Sequence, residues 1–209
     1  MADVIVLTET WFSANTCRDV RGYTGFHTYR ADKSGGGVSV LVRDCYTSTH
    51  VANFSVCHAY YEFSVVMISH SNNCIVIIIG VCRPPDKSKI PKFTIKLNEI
   101  FSSTSQSDHV FIVNLLDLTA IENSFINNCH SNSLIPQINK PTRKEITIWV
   151  FSIIIYMVKS AARYIQWYVC IRITDHYPIF TIVPIKCPQK RIRVKFRDHS
   201  RQNIAINLK

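Results

Sequence analysis

The sequence contains few of the residues that mark non-globular chains. Among its 209 residues there are only six glycines and eight prolines, and neither residue forms a long tract. This scarcity excludes a collagen-like or low-complexity chain. Charged residues make up 18% of the chain and apolar residues 47%, a balance that supports a hydrophobic core and excludes an intrinsically disordered protein. The length fits one domain of moderate size.

The eight cysteines lack the spacing of a disulfide framework or a zinc site. They are scattered along the chain, no two form a C-x-x-C pair, and no Cys/His quartet has zinc-finger spacing. The N-terminal segment MADVIVLTET also lacks the basic region and long apolar run of a signal peptide. We therefore expect free thiols in a reducing compartment, mostly as core residues.

No apolar run is long enough to predict a membrane span. The longest candidate, ITIWVFSIIIYMV at 146–158, is bounded by Glu145 and Lys159. A spanning helix needs about 20 apolar residues, and this segment is shorter. Its β-branched and aromatic residues favour a buried strand.

Positive charge is concentrated at the C-terminus. The net charge is +10, and residues 186–209 hold eight lysines and arginines against one acidic residue. Such a segment suits a polyanion, although a solvated linker explains the charge equally well. We expect a folded domain over 1–185 and a basic linker over 186–209.

The hydrophobic pattern predicts many strands and two helices. Strands are expected over 3–7, 38–43, 61–68, 74–81, 109–113, 146–155, 164–173 and 179–185. One helix is indicated by the spacing of Phe93, Leu97, Ile100 and Phe101, and a second by Ile121, Phe125 and Cys129. This composition predicts an α/β (α+β) protein with layers around a mixed or antiparallel sheet pair.

The most pointed local motif is the pair Asp175 and His176, between two apolar strands. A carboxylate beside a histidine at the end of a strand can hold a metal ion and a proton acceptor near one substrate. Such pairs are also common in loops, so the motif alone leaves a purely structural role open.

Five segments, in order along the chain, resemble the endonuclease/exonuclease/phosphatase family, specifically the apurinic-type endonuclease domain of non-LTR retrotransposons. They are DVIVLTETWF (3–12), GYTGFHTYRADKSGGGVSVLVRD (22–44), IIIGVCRPPDKSKIPKF (77–93), NKPTRKEITIWVF (139–151) and ITDHYPIF (173–180). The segment 190–208 is similar to the one that joins this domain to a reverse transcriptase.

The resemblance implies a fold and an activity. The fold is the DNase I-like four-layer sandwich, two packed β-sheets flanked by helices, with the active site where strand ends from both sheets meet. The activity is Mg²⁺-dependent hydrolysis of DNA phosphodiester bonds, in which the metal neutralises charge that builds on the phosphate. The implied partner is DNA, or alternatively RNA, bound through the site face and the basic tail, with no membrane and no small-molecule cofactor. The location is intracellular, and nuclear if the substrate is DNA.

The resemblance also assigns roles to individual residues. Glu9 corresponds to the metal-binding glutamate, Asp175 to a metal-side or water-orienting carboxylate, and His176 to the base or a phosphate-contacting imidazole. Arg83 and Arg143 are candidates for contacts with phosphate, with a structural role as the equal alternative.

Several family positions are changed in this sequence. FIVNLLDLTA (111–120) lacks the Gly-Asp of the Gly-Asp-x-Asn motif, and Asn114 corresponds to the catalytic asparagine only if residues before it have been deleted. Cys82 replaces the tyrosine before Arg-Pro-Pro, and a thiol is a weaker donor than a phenol. The segment 147–149 replaces the late Thr-Leu-Ile-Asp, and the family's first strand has no counterpart before Met1.

Catalytic groups that act as a unit lose most of their rate when one is removed. The changed positions therefore predict a truncated, degenerate endonuclease domain whose cleavage is impaired or lost. Two alternatives stay open: a noncatalytic nucleic-acid-binding remnant, and a fragment without function.

Overall fold

The computed structural model describes residues 2–16, 18–31, 35–70, 74–83, 90–104, 107, 109–115, 127, 129–132, 134–136, 143–144, 149–150, 153–158, 165–168 and 179–182. The strands are β1 (Val4–Thr8), β2 (Tyr23–Thr28), β3 (Val38–Arg43), β4 (Thr47–His50), β5 (Val56–His58), β6 (Tyr61–His70), β7 (Cys74–Cys82), β8 (His109–Leu115), β9 (Leu134–Pro136), β10 (Arg143–Lys144), β11 (Trp149–Val150), β12 (Ile153–Val158), β13 (Ile165–Tyr168) and β14 (Ile179–Ile182). The helix α1 (Ile90–Thr104) lies between β7 and β8.

The first three strands form a small antiparallel sheet in the order β1-β3-β2. The register runs from Val4 opposite Val42 to Thr8 opposite Val38. This register places the end of β1 beside the start of β3, which follows directly on the Gly35–Gly37 turn.

A larger sheet of seven strands lies against the small one. Its order is β4-β6-β7-β8-β12-β9, with β5 paired to β6. Strands β6 and β7 form an antiparallel hairpin, whereas β7 and β8 are parallel and are joined through α1. The sheet is therefore mixed. The first residues of β6 lie beside the last residues of β7 and β8, at one end of these three strands.

The apolar residues of β7 alternate between two cores, as the period of a strand requires. Ile77, Ile79 and Val81 pack with α1 in one buried cluster. Val76 and Ile78 pack in a second cluster with residues of the small sheet. Since both faces of β7 are covered, the strand is apolar along most of its length. The described layers are thus small sheet, large sheet and helix, and they confirm the predicted class of two packed β-sheets with a helix on the outside.

The helix predicted from apolar spacing is confirmed as α1. All four residues that indicated it (Phe93, Leu97, Ile100 and Phe101) are buried. The ring of Phe93 stacks on that of Phe63 in β6, with centroids 5.7 Å apart and planes at 3°. Of the second predicted helix, residues 127 and 129–131 are helical and Cys129 is buried, while Ile121 and Phe125 lie outside the described residues.

The single strand predicted over 146–155 is wrong, because its residues divide between two sheets. Strand β11 pairs with β10 in a two-stranded sheet, whereas β12 pairs with β8 and β9 in the large sheet. A continuous apolar run shows no boundary when both of its halves form strands. Within the described part of the chain, no helix is long and apolar enough to cross a membrane.

The cysteines that the structure describes carry thiols and form no disulfide with one another. They are Cys45, Cys57, Cys74, Cys82 and Cys129. Burial raises the pKa of Cys129 to about 12, which keeps this core thiol protonated. The predicted linker over 186–209 lies outside the described residues.

Gly80 in β7 lets the two sheets approach each other, and its replacement by alanine should destabilise the fold. An added Cβ would lie 2.5 Å from Cγ1 of Val38 and 3.1 Å from Cγ1 of Val6. We expect Gly80→Ala to lower the free energy of unfolding by about 1–3 kcal/mol, the usual cost of overpacking. Urea denaturation measures this loss. Ile95→Ala, at a residue of α1 that is 61% exposed, is the control and should cost less than about 0.5 kcal/mol.

Two half-buried histidines should make the fold sensitive to acid. Burial lowers the pKa of His27 and of His50 below 6.5, and the charge of Arg18 lowers that of His27 further. At pH values between the folded and the unfolded pKa of these histidines, the unfolded chain binds more protons than the folded chain. The stability that depends on their neutral form is therefore complete above pH 6.5 and falls as the pH drops below it. His50→Leu should flatten this dependence in urea denaturation at about pH 7.5 and about pH 5.5. Equal pH dependence in the variant and the parent chain would contradict the prediction.

Candidate active site at the joined strand ends

Glu9 follows β1, and its carboxylate accepts three hydrogen bonds, two of them from distant parts of the chain. The Gly36 amide donates to Oε2 at 3.0 Å, and the Trp11 indole Nε1 donates to the same oxygen at 3.2 Å. The Cys82 thiol donates to Oε1 at 2.9 Å. One carboxylate therefore joins β1, the glycine turn before β3 and the end of β7.

The backbone around Glu9 has an uncommon conformation. Glu9 and Trp11 have φ angles of 52° and 54°, in the left-handed region that side chains other than glycine rarely adopt. Such residues cost about 1–3 kcal/mol each and are concentrated at functional sites. Two backbone bonds hold the segment in place: the Trp11 amide donates to the Gly36 carbonyl at 2.8 Å, and the Thr10 amide to that of Gly37 at 3.3 Å.

The glycine turn fits against a second carboxylate, that of Glu62. Gly36 has a φ of 71°, and a Cβ added to it would lie 2.6 and 2.7 Å from the two carboxylate oxygens of Glu62. The next amide, that of Gly37, donates a hydrogen bond to Oε2 of Glu62. Glycine is required at position 36 by both the backbone conformation and this close approach.

Glu62 is completely buried at the start of β6 and forms an ion pair with Arg30. It lies directly opposite Cys82 in the β6–β7 register, so the two carboxylates of the site flank the thiol. A buried carboxylate needs such partners, because an unpaired charge in the interior is very costly. The Glu62 carboxylate is thus occupied in holding Arg30 and the glycine turn.

Cys82 is buried beside Glu9 and acts as a hydrogen-bond donor. Burial, together with the hydrogen bond to Glu9, raises the pKa of its thiol well above the usual range. The sulfur therefore stays protonated at neutral pH and donates its proton to the carboxylate.

For the other predicted site residues, the structure gives at most a position in a strand or directly after one. Asn114 lies near the end of β8, opposite Val81 in the parallel register. Arg83 directly follows β7 and is buried, and Arg143 lies in β10. Asp175 and His176 lie outside the described residues. The roles assigned to all of these residues stay predictions.

The described residues supply only part of a magnesium site. Mg²⁺ prefers oxygen ligands, which the Glu9 carboxylate provides and the Cys82 thiol does not. Glu62 is already paired with Arg30. Where residues are described, no group of three His, Cys, Asp or Glu side chains lies close enough to hold a metal ion. The described residues alone therefore do not fit a magnesium ion.

Three residues of this site were not singled out by sequence reasoning: Trp11, Arg30 and Glu62. Glu62 carries a signal in retrospect, since it is the one charged residue in the strand segment 61–68. Arg30 and Trp11 lie inside segments that resemble the family, but no spacing rule marks either side chain.

The same fold occurs in solved structures of low sequence identity. The endonuclease domain of TRAS1, a telomere-specific non-LTR retrotransposon, is 10% identical with a TM-score of 0.66, covering 88% of this chain and 87% of that one. An endonuclease/exonuclease/phosphatase family protein from Leptotrichia buccalis is 13% identical with a TM-score of 0.59, covering 88% and 87%. D. rerio TDP2 complexed with a single-strand DNA product is 10% identical with a TM-score of 0.52, covering 86% and 84%.

These similarities define the class of fold. The chain has the DNase I-like fold of endonuclease/exonuclease/phosphatase proteins, as its sequence motifs predict. No protein-family model matches the chain, and no curated protein matches it.

The buried pair of Glu62 and Arg30 should be essential to the stability of this site. Glu62→Gln leaves the Arg30 charge without its partner, and we expect the free energy of unfolding to fall by about 3 kcal/mol. Urea denaturation monitored by circular dichroism measures the change. The control is Glu99→Gln, which breaks the exposed pair of Lys96 and Glu99 and should cost less than about 1 kcal/mol. Equal losses in the two variants would contradict a special role for the buried pair.

Proposed function

We propose that this chain is a degenerate endonuclease domain of retrotransposon type, which binds DNA and whose Mg²⁺-dependent cleavage of phosphodiester bonds is impaired or lost. The observation that carries the proposal is the contact between Glu9 and Cys82. It joins the position that the resemblance assigns to a metal-binding glutamate with the position where it implies a tyrosine.

The impairment follows from the chemistry of the thiol. A phenol beside Glu9 could donate to a phosphate oxygen, whereas a thiol is a weak donor, and that of Cys82 already donates to the carboxylate. Stabilisation of charge on the phosphate by preorganised donors is a large part of catalysis. Since such groups act together, the loss of one removes most of the rate.

DNA binding is supported by charge and by the class of fold. The net charge of +10 favours a polyanionic partner. Two of the structures with this fold are a retrotransposon endonuclease domain and a protein complexed with a single-strand DNA product. A DNA substrate would place this domain in the nucleus. In our proposal the partner contacts the site face around Glu9, and the basic segment 186–209 adds salt-sensitive affinity.

Nicking of supercoiled plasmid in Mg²⁺ and in EDTA tests the loss of cleavage. We compare the parent chain with Glu9→Gln and His176→Ala, and use Glu99→Gln on the exposed face of α1 as the matched control. The parent chain should nick no faster in Mg²⁺ than the two site variants. Mg²⁺-dependent nicking that Glu9→Gln or His176→Ala abolishes and Glu99→Gln retains would identify a working endonuclease and contradict the proposed impairment.

Fluorescence anisotropy with labelled DNA, in EDTA, tests the binding that should be retained. Affinity should be measurable at low salt and should decrease as the salt concentration rises. The protein must first show a cooperative thermal transition, which separates a folded domain from a fragment without function. Folded protein that binds neither DNA nor RNA would overturn the proposal.

A further inference from the structure

We propose that the indole of Trp11 is a stacking platform for an unpaired nucleobase, which it holds beside the Glu9 carboxylate. This inference rests on the proposed DNA binding, and it adds the part of the nucleic acid that the site face contacts. The juxtaposition of an exposed aromatic ring with the site carboxylate carries the argument.

Trp11 is exposed to an unusual degree for its size. It is 66% exposed, although its own amide is hydrogen-bonded to the glycine turn. Single exposed apolar side chains are common on protein surfaces. The exposure therefore becomes informative only together with the way in which the residue is held.

The residue is held in a strained and fixed conformation. Its φ of 54° is an outlier for a bulky side chain, and its amide is bonded to the Gly36 carbonyl. Its indole N–H donates to Glu9, which orients the ring relative to the carboxylate. Burial of the ring does not offset the backbone strain, because the side chain stays largely in solvent. Backbone strain of this kind is concentrated at active sites and at sites that hold ligands.

The loop that follows Trp11 is also tied down. The Arg18 guanidinium donates to the carbonyls of Ser13, Ala14 and Thr16 at 2.6, 3.1 and 3.1 Å. The same guanidinium lies over the ring of Tyr29, 4.1 Å from its centroid. Because the loop is ordered in advance, a ligand that stacks on Trp11 loses little binding free energy to ordering of the protein.

The chemistry of the ring selects an unpaired base as the occupant. Every base presents a flat π-face that stacks on an aromatic side chain, and the contact tolerates any sequence. In a duplex these faces are covered by neighbouring base pairs, so only a single-stranded or displaced nucleotide can offer one. The Glu9 carboxylate next to the ring disfavours a bare phosphate there, and the positive charge of the chain favours the polyanion as a whole.

Binding of a short single-stranded oligonucleotide in EDTA separates stacking from cleavage. We expect Trp11→Ala to weaken binding about tenfold, as loss of one base–aromatic stack does. The dependence of affinity on salt should not change, since no charge is removed. Trp11→Phe keeps a ring without the indole N–H and should retain most of the affinity. Ile95→Ala, at a residue of α1 that is 61% exposed, is the matched control and should bind as the parent chain does.

An abasic oligonucleotide and photocrosslinking make the test specific to the base. On abasic strands the parent chain and Trp11→Ala should bind equally. With 5-iododeoxyuridine in the strand, the parent chain should crosslink at Trp11, a readout that does not depend on the folding of a variant. Equal binding of the two chains to normal strands, or crosslinks only at other residues, would overturn this inference while DNA binding stands. No binding by the folded parent chain would overturn the proposed function as well.

Discussion

Two neighbouring amides, those of Gly36 and Gly37, donate to two different carboxylates, and the rest of the site depends on this arrangement. Gly36 binds Glu9 at the end of β1, and Gly37 binds Glu62 at the start of β6. The small sheet and the large sheet are thereby joined at one edge. Since Glu62 is buried, the turn also supplies part of the hydrogen bonding that its charge requires.

Packing between the two sheets brings their strand ends together at the Gly36–Gly37 turn. The small sheet lies close against β7 because Gly80 has no side chain to keep Val38 and Val6 away. The alternation of β7 directs one set of apolar residues to α1 and the other to the small sheet. With the sheets fixed by their cores, the ends of β1 and β7 meet, and Glu9 and Cys82 come within hydrogen-bonding distance.

Much of this fold is predictable from sequence, because the strongest signals are local. The helix α1 follows from apolar spacing, and strand β7 follows from the apolar run over 74–81. The contact of Glu9 with Cys82 spans 73 residues, and no local pattern reveals it. Only the family resemblance indicated that these two segments belong to one site. The left-handed backbone at Glu9 and Trp11 was equally hidden, since neither residue type favours it.

The site that results combines a held carboxylate, a protonated thiol and an exposed ring on a strained loop. In the function that we propose, this arrangement holds a nucleic-acid strand and does not cleave it efficiently. Hydrogen–deuterium exchange with and without a single-stranded oligonucleotide, in EDTA, tests the central claim that this face binds DNA. Our account predicts that peptides covering 9–16 and 35–37 gain protection when the strand is added. Protection confined to the basic segment 186–209 would contradict it.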